Sequence, residues 1–190
     1  MIGRCCATLL AGGFASTLIV QAAPAYGEAR DLDMLAAEKA INQCIHRAAS
    51  GRPWLAQTLR ALRKREGGWI GAEVRNRDGS VDLGPMQVNS WWVPRIARMI
   101  GRSESQIKSW LRDDPCFNVD AARWIFLSAL HDVKDFWRAV GIYHSPTRWR
   151  QMRYSRSIAS IMLTQRQAFV ASPLRERKFR KSHLVIFGPR

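Results

Sequence analysis

Apolar positions recur at helical spacing over most of this chain. Between Asp33 and about Ala48, Met34, Ala37, Ile41 and Ile45 fall on one helix face. Pro53 suits a first helical position, and Leu55, Leu59 and Leu62 behind it repeat the same geometry. Extending that ladder by four residues reaches Glu66. The pattern therefore puts a carboxylate at the end of a helix, on its buried face, where loss of water works against its charge. Gly67-Gly68 then stop the helix.

From Trp69 to Gln87 the period changes. Asn76, Asp78-Gly79 and Gly84-Pro85 are turn signals, and Val74, Val81 and Leu83 predict short strands around the Asp78-Gly79 hairpin signal. Helix resumes near Ser90 to Ile100. Ser103 with Gln106 reads as a capping box for a helix through Leu111. Asn118 or Asp120 is expected to start the next, with Trp124, Leu127, Leu130 and His131 on one face. Helices from Phe136 towards Tyr143 and from about Trp149 to Phe169 complete a mainly α fold with a small β excursion. Trp91, Trp92, Trp124 and Trp137 sit at helical spacing and read mostly as core, with stacking of one of them on a sugar as the alternative.

The first 25 residues have a different character. Arg4 precedes an uncharged, small-residue-rich apolar run from Ala7 to Ala23, and Ala23-Pro24-Ala25 offers a signal-peptidase site before Tyr26. Cleavage after Gly27 and a retained anchor are the alternatives; no second apolar run is long enough to span a membrane. Residues 1–25 are thus expected to be an export signal, residues 26–165 the folded domain and residues 166–190 a basic tail, with the mature protein periplasmic or secreted. Removal of the signal leaves Cys44 and Cys116, an even pair expected to bridge outside the cytoplasm rather than remain buried thiols.

The 190 residues carry 30 Lys+Arg against 15 Asp+Glu, a net charge of +15, so an anionic partner is expected. The excess is concentrated late: Arg148 to Arg190 hold nine Arg and two Lys against Glu176 alone, a net +10. The cluster Arg175, Arg177, Lys178, Arg180 and Lys181 reads either as a solvated end or as an electrostatic grip on wall polymer, membrane surface or protein. Export and the lack of a nucleic-acid motif argue against a DNA-binding protein. With no HExxH, paired CxxC, Walker loop or GxGxxG in the sequence, no metal and no nucleotide cofactor is expected.

Three segments in order carry candidate chemistry: Arg65-Glu66-Gly67-Gly68, then Gly79 to Ser90 with its Asp82-Leu83-Gly84-Pro85-Met86-Gln87-Val88-Asn89-Ser90 core, then Ala139 to Ser145 with Tyr143-His144. Together they resemble the soluble lytic transglycosylase family of lysozyme-like folds. The resemblance is closest to small members that accompany secretion and conjugation machines, and Asp113 to Asn118 and a cysteine near Cys44 look like that subgroup. The resemblance covers about Ile41 to Ser145. It implies a helical lysozyme-like (α+β) domain with a small β-hairpin region beside a cleft. It implies cleavage of the β-1,4 bond between N-acetylmuramic acid and N-acetylglucosamine in peptidoglycan, leaving a 1,6-anhydro muramyl end. Secretion or conjugation proteins are the implied partners, and local opening of the wall the implied role.

By the same resemblance, Gln87 and Asn89 contact the glycan, Met86 lines the cleft and the Tyr143 hydroxyl holds Glu66 or a substrate group. Glycoside cleavage needs an acid to protonate the leaving oxygen, and Glu66, walled by apolar groups such as Trp69, is the candidate. Its carboxylate can then take the proton of the sugar's 6-hydroxyl, so no second catalytic acid is required; Asp82 is expected to cap a turn. Three positions depart from that family's common pattern: Gly67 stands where it usually has serine, Pro85 where leucine or isoleucine is common, and His144 where many members have asparagine. The first removes a hydroxyl beside the acid, which keeps a weak or inactive peptidoglycan-binding assembly factor as the alternative.

Overall fold

The structure, a computed structural model, describes the backbone of residues 26–182 and the side chains of residues 30–167. The expected signal, the apolar 184–187 segment and the side chains of the 175–181 basic cluster lie outside these limits. Seven α-helices and one 3-10 turn surround a small sheet among the described residues: α1 Tyr26–Ala49, α2 Pro53–Glu66, β1 Glu73–Arg75, β2 Val81–Leu83, β3 Val88–Asn89, then the turn Ser90–Trp92, α3 Val93–Ile100, α4 Glu104–Asp113, α5 Pro115–Val133, α6 Phe136–His144 and α7 Arg148–Ser182. The mainly α expectation with a small β region holds. No described helix is long and apolar enough to cross a membrane.

Local chemistry sets the element ends. Ser103 accepts from the Gln106 amide at the start of α4, as its sequence implies. The start of α5 differs from expectation. Asp114 caps it by accepting from the Cys116 and Phe117 amides, with Pro115 in the first turn, so the helix begins three to five residues before the predicted Asn118 or Asp120. The sheet is also larger than expected. β1 pairs with β2 as foreseen, Glu73 opposite Leu83, but β2 also pairs antiparallel with Val88–Asn89, with Asp82 opposite Asn89. Two residues are too few for an alternation pattern to reveal. α7 runs through position 165 without interruption.

Leu55, Leu59 and Leu62 are fully buried and share one core with Ile41 and Ile45 of α1, Ile107 and Leu111 of α4, Ile125 and Phe126 of α5 and Ile158 of α7. Met34, expected on the inner face of α1, is 64% exposed, because the helix extends past the core at its start. A disulfide joins Cys44 of α1 to Cys116 of α5, with Cα atoms 4.9 Å apart. The Arg63 guanidinium of α2 pairs with Glu38 of α1 at 2.7 Å and reaches the Pro85 carbonyl at 3.4 Å, so one side chain braces two helices and the turn after β2.

That turn is held chiefly by Asn118, fully buried on α5. Its Oδ1 accepts from the Met86 amide at 2.7 Å, and its Nδ2 donates to the Leu83 and Leu111 carbonyls, each at 2.8 Å. One amide thus pairs three backbone groups that would otherwise be buried and unmatched. Asn118→Ala strands all three and is expected to destabilise the protein by about 4 kcal/mol, read from denaturant midpoints.

Candidate active site

Glu66 closes α2. Its register with Leu55, Leu59 and Leu62 turns the carboxyl inward, and Gly67 caps the helix in the left-handed region (φ 65°) with its amide on the Arg63 carbonyl. The cap gives a physical reason for glycine at position 67, since a side chain is strained at that φ. Gly68 has a different constraint. A Cβ there would lie 2.3 Å from the Gly84 carbonyl oxygen and 2.7 Å from Gln87 Nε2. Only a glycine lets the end of α2 come this close to the turn that carries the Met86-Gln87-Val88-Asn89 run.

The Glu66 carboxyl is covered from the opposite side by α7. Tyr154, 3% exposed, donates its hydroxyl to Glu66 Oε1. Among the described residues no cation lies at ion-pair distance from Glu66. Burial pushes its pKa from the ordinary 4.5 up to about 7, the Tyr154 hydrogen bond pulls against that, the negative charge of Asp82 adds to the rise and Arg65 pulls weakly down. A carboxyl in this setting is divided between its two protonation states near neutrality, which is what a group that must both give and take a proton needs.

The expected cover was partly misplaced. Trp69 is 61% exposed and does not wall the carboxyl. The Tyr143 hydroxyl, expected against Glu66 or a substrate group, instead donates to the Met86 carbonyl at 2.8 Å and props the turn; burial raises its pKa well above the ordinary value. Met86, expected to line a cleft, is fully buried, because its amide and carbonyl are both tied inward and its side chain joins the core. Gln87 is partly exposed beside Gly68, at φ 49°, with Nε2 on the Gly84 carbonyl at 2.9 Å. Asn89 donates to Asp82 Oδ1 and to Ser80 Oγ, each at 2.9 Å, and accepts from the Trp91 amide at 3.0 Å. Asp82 therefore joins the hairpin's own hydrogen bonds while its charge bears on Glu66.

Tyr154 escaped the sequence reading. Its signal was present: Gln151, Tyr154 and Ile158 form the buried face of the arginine-rich α7, and a phenol on such a face needs a polar partner. Of the tryptophans, Trp92 and Trp124 pack edge to face at 5.5 Å with Arg95 over both rings, whereas Trp91 and Trp137 are 66% and 45% exposed rather than core. Two cavities, of about 370 Å³ between α3 and α4 and about 400 Å³ beside Arg60, Arg63, Lys64 and Gly67, are not lined by Glu66.

Comparison with known proteins adds a relationship. The chain is 42% identical over 77 residues to invasion protein IagB of Salmonella typhimurium, a match covering 40% of this chain and 45% of that protein. It is 45% identical over 78 residues to invasion protein IagB of Salmonella typhi, with the same coverage. The match thus spans a little under half the length of these relatives. No family model matches the chain.

The raised pKa carries a stability consequence with a definite sign. The folded state holds the Glu66 proton up to about pH 7, while the unfolded chain releases it near 4.5. This group's contribution to stability is full below the lower value and is lost as pH rises through the upper one. Glu66→Gln, which cannot ionise but still accepts from Tyr154, is expected to match wild type at pH 4 and exceed it by about 3 kcal/mol at pH 8. Denaturant midpoints measured across that range check it.

Proposed function

We propose that this protein is a lytic transglycosylase of the bacterial wall, with Glu66 as its single acid and base. The reading rests on one observation above the others: a carboxyl at the end of a buried helix face, raised to about 7 and covered by Tyr154 rather than by a cation. Protonated Glu66 gives its proton to the glycosidic oxygen as the bond to C1 of the N-acetylmuramic acid unit breaks. The resulting carboxylate takes the proton of that sugar's 6-hydroxyl, and the oxygen closes onto C1. The proton lost is regained, no water is consumed and the product is a 1,6-anhydro end. A second carboxylate has no step to perform, in keeping with an Asp82 engaged by Asn89.

The resemblance of the 79–90 and 139–145 segments to soluble lytic transglycosylases supports this reading, as does similarity to a protein named for invasion. The lysozyme-like arrangement, the substrate roles of Gln87 and Asn89, export by residues 1–25 and local opening of the wall for a secretion or conjugation apparatus belong to the same proposal. The Cys44–Cys116 bridge suits a periplasmic or secreted setting.

A second reading has its own support. Asn89 and Gln87 spend donors on the hairpin and turn, Met86 is buried, and Gly67 lacks the family's hydroxyl. These features suit a wall-binding assembly factor of low turnover. Mass analysis of muropeptides after digestion of purified peptidoglycan separates the two. Wild type is expected to release anhydro-muropeptides and Glu66→Gln to release none while still binding. Hydrolysed ends would overturn the transglycosylase, and binding without any product would establish the second reading.

A further inference from the structure

His144 closes α6 with its imidazole lying flat on the Tyr154 ring, the centroids 4.5 Å apart and the planes 6° from parallel. The contact is built by the elements on both sides of it. Gly141, one turn earlier on α6, sits so close to α7 that a Cβ would lie 2.5 Å from Gln151 Cβ. Gln151 is buried and donates to the Ser145 and Pro146 carbonyls, at 3.0 and 3.2 Å. Ser145 in turn gives its amide to the Gly141 carbonyl and accepts from the Thr147 amide. The residues before and after His144 are therefore both drawn onto the turn of α7 that presents Tyr154.

We infer that His144 is a positioning residue, a lid on Tyr154 that keeps the phenol in the orientation from which its hydroxyl meets Glu66. This rests on the reading of Glu66 as the acid and base. Tyr154 is packed into the core; at the site itself Glu66 engages the tip of its ring and the imidazole engages its face. The charged groups that bear on the imidazole are Arg65 from α2, Asp82 from β2 and Arg150 from α7. The outer face of the ring is exposed; partial burial, then the Arg65 charge, hold its pKa below the ordinary 6.5, so it is mostly neutral at pH 7 and stacks without bringing a cation beside the carboxyl.

Two substitutions separate the lid from any other use of the ring. His144→Phe keeps a flat face and loses the ring nitrogens; His144→Ala loses the face. In digestion of purified peptidoglycan, His144→Ala is expected to lower kcat about tenfold with KM within about twofold. Its alkaline limb should move to lower pH, because water then reaches Glu66 and burial is the larger influence on that carboxyl. His144→Phe is expected to retain both kcat and limb. A readout without turnover uses thermal melts. The extra stability that Glu66→Gln gains between pH 4 and pH 8 should shrink at least twofold in the His144→Ala background and persist in the His144→Phe background. If His144→Ala leaves both profiles at wild type, or His144→Phe loses as much as His144→Ala, the lid is wrong. If wild type shows no turnover, the transglycosylase reading fails, while the melts still decide the lid.

Discussion

The site depends on a close approach of two backbones. Gly68, just past the end of α2, lies against the Gly84 carbonyl at a separation that leaves no room for a methyl group. The turn beginning at Gly84 is fixed from behind by Asn118, whose amide pairs with Leu83, Met86 and Leu111, and from the side by Tyr143 on the Met86 carbonyl. A turn with so many inward bonds cannot drift, so the Gly68 contact sets where α2 ends. Glu66, two residues before it, is thereby held beside β2 and beneath α7.

From that placement the electrostatics follow. The carboxyl is mostly buried, its one side-chain hydrogen bond among the described residues comes from a neutral phenol, and the charge that bears on it most, on Asp82, has the same sign. Burial, the largest influence, opposes ionisation; the Tyr154 hydrogen bond, second in size, offsets it only in part, and the smaller effect of Asp82 adds to the rise. The group costs stability whenever it is charged, the expected mark of a carboxyl kept for proton transfer rather than for holding the fold together. The structural work is done elsewhere, by the leucine ladder of α2, the Cys44–Cys116 bridge and the Arg63–Glu38 brace.

Much of this was legible in the residues. The spacing of Leu55, Leu59 and Leu62 puts Glu66 on an inner face, because a helix repeats on a fixed period and glycines mark its end. The disulfide pair and the first hairpin were equally readable, since each depends on residue type or on neighbours in sequence. Contacts between segments far apart in sequence were not. Tyr154 lies 88 residues from Glu66, and nothing in either local pattern links them. Tyr143 carried the expected motif but turned to the Met86 carbonyl, a choice made by the turn's geometry. Trp69, read as a wall, is exposed.

The central claim is that Glu66 carries a proton near neutrality, and direct titration of its carboxyl tests this most closely. Infrared difference spectra of wild type against Glu66→Gln, followed through the protonated carbonyl stretch, isolate this single group. The account predicts a transition centred at about pH 7. A transition near 4.5, the value of an ordinary glutamate, would contradict it.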